Sequence, residues 1–367
     1  MAGTYCIGLM SGTSTDAVDG VLADLSAPSI QLLAQASLPL PPALRDELLA
    51  LNTPGADELH RAAMAANALA DCQAAVVQSL LAQAGLSARQ VQVLGTHGQT
   101  VRHAPENGYT VQINAPARLA ERCGIATVAD FRSRDVAAGG QGAPLVPAFH
   151  AAYFGTDARR AVLNLGGIAN LTVLESPVRG FDTGPANMLM DAWAQAHLGE
   201  PFDLDGRWAA RGHCQPALLA SLLADPWFAR VPPKSTGRDL FSLAWLHSHL
   251  DRPGPQGARC APADVQATLL ELSVRSIADA LQRHAAGVQE ILACGGGALN
   301  PVLMARLRDA LAPVRLRTTA DEGVPVQAVE ALAFAWLAHA WLQGQATGLP
   351  EVTGARHATV AGCLYPA

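Results

Sequence analysis

Two glycine-punctuated turns, about half a chain apart and each pressed between apolar runs, constrain this chain more than any other feature. The first is Ile7-Gly8-Leu9-Met10-Ser11-Gly12-Thr13-Ser14-Thr15-Asp16-Ala17-Val18-Asp19-Gly20-Val21-Leu22, and the second is Ala161-Val162-Leu163-Asn164-Leu165-Gly166-Gly167-Ile168-Ala169-Asn170-Leu171-Thr172-Val173-Leu174. In each, a strand-like run enters a turn of small residues and a second strand follows at once, which is a hairpin signal. Glycines there permit positive φ and let backbone N–H groups approach a ligand, and Ser/Thr hydroxyls add donors. One such turn is an ordinary hairpin. Two in the same setting point to a duplicated nucleotide-binding architecture, with the turns gripping the two ends of a triphosphate.

A chain of 367 residues suggests two domains. The formal net charge of −6, with no basic run, argues against a nucleic-acid partner. The first positive side chain is Arg45, so a charged signal-peptide start is not expected, and no run of about 18 apolar residues suggests a membrane span. Seven cysteines are scattered singly, as expected of reduced thiols in a cytoplasm and not of disulfides or a zinc site. Lys234 is the only lysine and follows Val231-Pro232-Pro233, which excludes a Walker-type phosphate loop.

Strands are expected at 5–10, 17–24 and 31–38, a helix at 57–83 ended by Gly85, and strands at 91–94, 109–113 and 125–129. Residues 130–142 are charged, then glycine-rich, and read as the junction between domains 1–140 and 141–367. The second half repeats the theme: strands at 161–164 and 170–174, helices at 186–198, 215–223, 240–249 and 263–284, a strand at 290–294, a helix at 300–311, a strand at 314–318 and a helix at 326–342. The expected fold class is α/β, two related mixed sheets flanked by helices.

Residues 11–16 put hydroxyls, flexible backbone and one carboxylate into a tight turn. That suits phosphate oxygens, with Asp16 able to hold a hydrated magnesium ion. Asp182 follows Phe181 at an expected strand end and precedes Thr183-Gly184-Pro185, with Pro185 suited to a first helical position. Its carboxylate fits either a helix N-cap or a group that takes a proton or orients magnesium. Gly295, Gly296 and Gly297 link a strand to a helix and offer a seat for adenosine. His97, Gln99 and Arg132 are expected on loops as sugar or carboxylate binders, and Glu330 begins a helix as an exposed or a ligand-facing acid. The loop from Lys234 to Asp239 is either a helix start capped by Asp239 or a contact for an anionic ligand.

Gly8-Leu9-Met10-Ser11-Gly12-Thr13-Ser14, Asp19-Gly20, Gly95-Thr96-His97-Gly98-Gln99-Thr100, Asp130-Phe131-Arg132 and Gly139-Gly140-Gln141-Gly142-Ala143-Pro144 closely resemble the anhydro-N-acetylmuramic acid kinase family. Asn164-Leu165-Gly166-Gly167, Phe181-Asp182-Thr183-Gly184-Pro185, Pro233-Lys234-Ser235-Thr236-Gly237-Arg238 and Cys294-Gly295-Gly296-Gly297 extend the resemblance over essentially the whole chain. It implies two RNase H-like domains of the sugar kinase/Hsp70/actin superfamily around a central nucleotide cleft. The implied nucleotide contacts are Gly12, Thr13, Ser14, Thr15, Asp16, Ala17, Val18 and Asp19 in a first phosphate loop. Gly166, Gly167 and Asn170 belong to the second, and Gly295–297 lie beside adenosine. Asp182 is implied as the catalytic base, Asp16 as the magnesium ligand, and His97, Gln99, Arg132 and Glu330 as substrate contacts.

The implied activity opens 1,6-anhydro-N-acetylmuramic acid with water and phosphorylates O6 from ATP with Mg2+, in the recycling of peptidoglycan. The bridged sugar has no free 6-hydroxyl, so the base would deprotonate water. The implied partners are the sugar and ATP, with neither nucleic acid nor membrane, and a homodimer is one option for the assembly. The competing expectation is an actin- or Hsp70-like ATPase acting through protein partners.

Overall fold

The structure, a computed structural model, describes residues 3–12, 15–26, 30–237, 240–250 and 260–367. Thr13, Ser14, Arg238 and Asp239, singled out above, lie outside the described residues. The described strands in chain order are β1 (Tyr5–Met10), β2 (Ala17–Asp24), β3 (Gln31–Pro39), β4 (Val91–Thr96), β5 (Gln99–Ala104), β6 (Tyr109–Ile113), β7 (Thr127–Ala129), β8 (Arg160–Leu165), β9 (Ile168–Val173), β10 (Arg179–Pro185), β11 (Glu290–Cys294), β12 (Arg315–Thr318) and β13 (Cys363–Tyr365). The chain divides into two units, Met1–Gly155 with Ala328–Ala367, and Thr156–Gln327.

The first unit holds a sheet of order β13-β7-β4-β1-β2-β3, and β5 and β6 form a separate hairpin. β1, β2 and β3 are an antiparallel meander, and β4 and then β7 continue parallel to β1. The second unit repeats this in the order β10-β9-β8-β11-β12, with β8, β9 and β10 as the meander and β11 and β12 parallel to β8. Counted from its own first strand, each core sheet reads 3-2-1-4-5 with only its second strand reversed. This is an RNase H-like strand arrangement, present twice. The central strands β4 and β8 are almost continuously buried because both sheet faces are covered, whereas the edge strand β3 is fully buried only at Ala34.

Local chemistry places these elements. The helix Glu58–Ala84 is alanine-rich and ends where Gly85 turns left-handed at φ 65°. The helix Val329–Leu342 is apolar nearly all round and is buried over most of its length. It lies against β1 and β4 because two glycines let its backbone come in. A Cβ on Gly8 would stand 1.9 Å from the Ala331 carbonyl oxygen, and one on Gly95 would stand 2.1 Å from that of Phe334.

Several expectations change. The units divide at residue 155 and not at 140, and residues 328–367 return to the first unit. The apolar helix Pro147–Phe154, unanticipated, stays with that unit and stacks Phe149 on Trp336 at 6.1 Å. Gln99 is not on a loop but opens β5. Pro185 does not begin a helix: β10 runs through Asp182 to Pro185, and the helix starts at Asn187. The strand persists because a bulge between Asp182 and Gly184, with Gly184 at φ 145°, lets Gly184 and Pro185 pair with Ala169 and Ile168. Asp182 is therefore a strand residue and not an N-cap.

Candidate active site

The second unit gathers its polar groups at the hairpin end of its sheet. Cys294, Asn164, Asn170 and Asp182 are directly paired across β11, β8, β9 and β10, so they form one transverse row on one face. The Cys294 thiol donates to Asn164 Oδ1 at 3.7 Å. The hairpin turn is held by the helix Asn187–Leu198: the Ala186 and Met188 N–H groups donate to the Gly167 carbonyl at 3.0 and 3.1 Å, and the Asn187 N–H to that of Gly166 at 3.1 Å. The Asn187 amide adds bonds to the Leu165 and Gly166 carbonyls, each 2.9 Å. In a trans peptide the C=O and the next N–H point opposite ways. Anchoring the carbonyls of Gly166 and Gly167 therefore aims the N–H groups of Gly167 and Ile168 away from the helix. Neither glycine takes a positive φ, contrary to expectation; among the described residues of the first loop, the left-handed one is Thr15, at φ 56°.

Gly295 lies against this hairpin. Its φ is 82°, and a Cβ there would meet Asn164 Oδ1 at 2.5 Å and the Leu165 carbonyl at 2.8 Å. Gly296 is the opposite case, since nothing lies within 4 Å of the position its Cβ would take. A flat ligand group can approach the backbone there.

Asp182 is 7% exposed, and its Oδ2 accepts the Thr236 N–H at 2.8 Å while its own N–H donates to the Lys234 carbonyl at 3.1 Å. Lys234 is itself buried. Its Nζ sits 4.4 Å from the ring centroid of Trp227 and donates to the Phe228 carbonyl at 3.4 Å. Burial pushes the Lys234 ammonium down to about 8; Arg283 and Arg230 push the same way and Asp182 opposes them.

In the first unit the turn after β1 is tied from behind by Gln99. Its Oε1 accepts the Ser11 hydroxyl at 2.5 Å, and its Nε2 donates to the Gly12 carbonyl at 3.1 Å and to Thr15 Oγ1 at 3.4 Å. Gln99 thus has its amide committed to the loop. His97 stacks on Phe334 at 5.0 Å, accepts the Arg132 Nε–H at its Nε2 (3.0 Å) and therefore carries its proton on Nδ1, which donates to the Gly98 carbonyl at 2.9 Å. Burial, with the Arg132 charge, drives the imidazole down to about 3. Arg132 also donates to the Gly142 carbonyl at 2.7 Å. Glu330, half-buried in the first helical turn, is one turn before Phe334 on the same helix face. Asp135, which the sequence did not single out, is fully buried and accepts the Gly142 N–H and the Thr353 hydroxyl, both at 2.7 Å.

Asp16 is exposed at the end of the first loop and accepts the Ala17 N–H at 3.0 Å. On β2, burial raises the Asp19 carboxyl; Ser37 lowers it and Asp16 raises it further. No cluster of three metal-ligating side chains occurs among the described residues. An exposed hard carboxylate in a hydroxyl-rich loop does fit Mg2+, which takes one or two carboxylates and completes its shell with phosphates and water.

No helix among the described residues is long and apolar enough to cross a membrane. The sequence pattern of the family described as anhydro-N-acetylmuramic acid kinase matches residues 4–367. Relatives bearing that name include one from Bordetella pertussis, 61% identical over all of this chain and 97% of the relative. One from Variovorax paradoxus is 54% identical over the full length of both, and one from Pseudomonas putida is 52% identical over 98% of this chain and 99% of its own. The match is continuous and includes the hairpin turns, the Asp182 strand and the Lys234 loop, so this chain belongs to the anhydro-N-acetylmuramic acid kinase family.

Proposed function

We propose that this protein converts 1,6-anhydro-N-acetylmuramic acid, ATP and water into N-acetylmuramic acid 6-phosphate and ADP, a step of peptidoglycan recycling. The observation that carries the chemistry is the Asp182 carboxylate, held by the Thr236 N–H on the polar row beside the Gly166-Gly167 turn. Asp182 takes a proton from water as the water oxygen attacks C1. The C1–O6 bond breaks, O6 forms a bond to the γ-phosphorus, and the bond from that phosphorus to ADP breaks. Aligning water, C1, O6 and phosphorus beforehand is the larger part of the acceleration.

The N–H groups of the Gly166-Gly167 turn and the backbone and hydroxyls of residues 11–19 serve the phosphates. Gly295–Gly297 serve adenosine, with Gly296 giving the open approach. Asp16 would hold Mg2+, which neutralises phosphate charge when bound. Arg132 is kept in place by His97 and Gly142 and is suited to the lactyl carboxylate. Gln99 acts through the loop it ties. A cytoplasmic setting fits the seven free cysteines.

The test is ADP release with and without the anhydro sugar, run in 18O-labelled water. Release should require the sugar, and the label should enter the C1 hydroxyl and stay out of the new phosphate ester. Label in phosphate, or release indifferent to the sugar, overturns this reading in favour of a plain ATPase.

A further inference from the structure

The chain's single lysine lies in none of the nucleotide contacts above, yet it is buried one segment away from Asp182. Residues 234–236 form a strap over that carboxylate, and each strap residue is fixed. The Lys234 carbonyl accepts the Asp182 N–H at 3.1 Å, and the Thr236 N–H donates to Asp182 Oδ2 at 2.8 Å. Between them, the Ser235 carbonyl accepts the Trp227 Nε1–H at 3.2 Å. Trp227 also offers its ring face to Lys234 Nζ at 4.4 Å, so one indole holds the strap by both its N–H and its π-face. The Phe228 carbonyl takes the remaining bond from Lys234, shared with Arg283 Nη1 at 3.3 Å.

We propose that Lys234, seated on Trp227, is a positioning residue for the reaction: it anchors the strap that aims Asp182, and its positive charge keeps that carboxylate ionised. The inference rests on the reading of Asp182 as base. Among the described residues, the charged and titratable groups around Lys234 are Asp182 on β10, Arg230 and Asp225 beside Trp227, and Asp279, Arg283 and His284 on the helix Pro262–His284. Asp225 is occupied by the Trp227 N–H and the Trp245 Nε1–H, both 2.9 Å, and Asp279 by Arg283. Among the described residues, the carboxylate whose charge favours the Lys234 ammonium is Asp182. A cation near a carboxylate lowers its pKa, so removing the cation raises it.

The experiment compares pH profiles of kcat/KM for the sugar in wild type, Lys234→Met, Lys234→Arg, Trp227→Phe and Asp182→Asn, with ATP affinity measured separately. Lys234→Met should lose at least tenfold in kcat, shift the acid limb about half a unit or more towards higher pH, and leave ATP affinity within about twofold. The alkaline limb that accompanies loss of the Lys234 proton should vanish in Lys234→Arg, whose acid limb stays at the wild-type position. Trp227→Phe, which keeps the ring but drops the bond to Ser235, should lower kcat without moving the acid limb. If Lys234→Met does not fold, the Lys234→Arg and Trp227→Phe profiles decide. Wild-type kcat with an unmoved acid limb in Lys234→Met overturns the proposal, as does an alkaline limb that survives in Lys234→Arg. Asp182→Asn keeping more than a tenth of the activity would instead overturn the base itself.

Discussion

Buried between Phe334 and the Arg132 guanidinium, His97 is neutral in the folded state down to about pH 3, whereas an unfolded chain protonates it near pH 6.5. His150 is driven down to about 3 by burial alone. The unfolded state binds more protons over that interval, so stability rises with pH between about 3 and 6.5 and falls on acidification through it. Well below pH 6.5 each histidine contributes a slope of about 1.4 kcal/mol per pH unit. Urea midpoints between pH 7 and 5 should therefore fall with acid, and less steeply in His97→Asn. Equal pH dependence in the two proteins would show that His97 is not held neutral. At this scale the sequence exposed chemistry better than setting. Asp182 stood out as a carboxylate at an expected strand end, but its place inside a bulged strand depends on pairing with Asn170 and Ala169, which no local pattern encodes. Asp135 was not singled out, because only folding brings Gly142 and Thr353 to it.

The glycine motifs separate into two kinds once the elements are seen. Gly8 and Gly95 sit in motifs that read as ligand loops, but their backbones make room for the helix Val329–Leu342. Gly296 makes room for nothing in the protein itself. Gly95→Ala should force a Cβ into the Phe334 carbonyl and cost about 2 kcal/mol or more, lowering Tm by about 4 °C or more. Gly296→Ala should leave Tm within about 1 °C, consistent with a surface change, and weaken ATP binding. The reverse pattern, a stable Gly95→Ala beside a destabilised Gly296→Ala, would refute this sorting. The hairpins and long helices were legible because their turn residues and periodicity are local. The helix Pro147–Phe154 was not, since a mostly apolar run of eight residues that opens on a proline carries no period that tells a helix from a buried strand.

The duplication anticipated from two turns is real at the level of strand pairing: both sheets share one order and one reversed strand. What sequence could not reveal is that the chain leaves its first unit at Gly155 and re-enters it at Ala328. A helix that is apolar all round announces burial but not its destination. A chain ended after Gln327 would lack the helix on β1 and β4 and the edge strand β13. Limited proteolysis of that truncated chain should digest residues 1–155 and spare a fragment spanning Thr156–Gln327; equal resistance of both parts would contradict the division. The same nesting sets a timetable during synthesis. The ribosome delivers residues 1–155 first, yet the helix Val329–Leu342 that covers one face of their sheet is made only after the second unit has emerged and had time to fold. At about 5–20 residues per second, the first unit waits about 10–40 s from Gly155 to Ala367 with one face of β1 and β4 uncovered, an interval in which a chaperone has its best access to this chain.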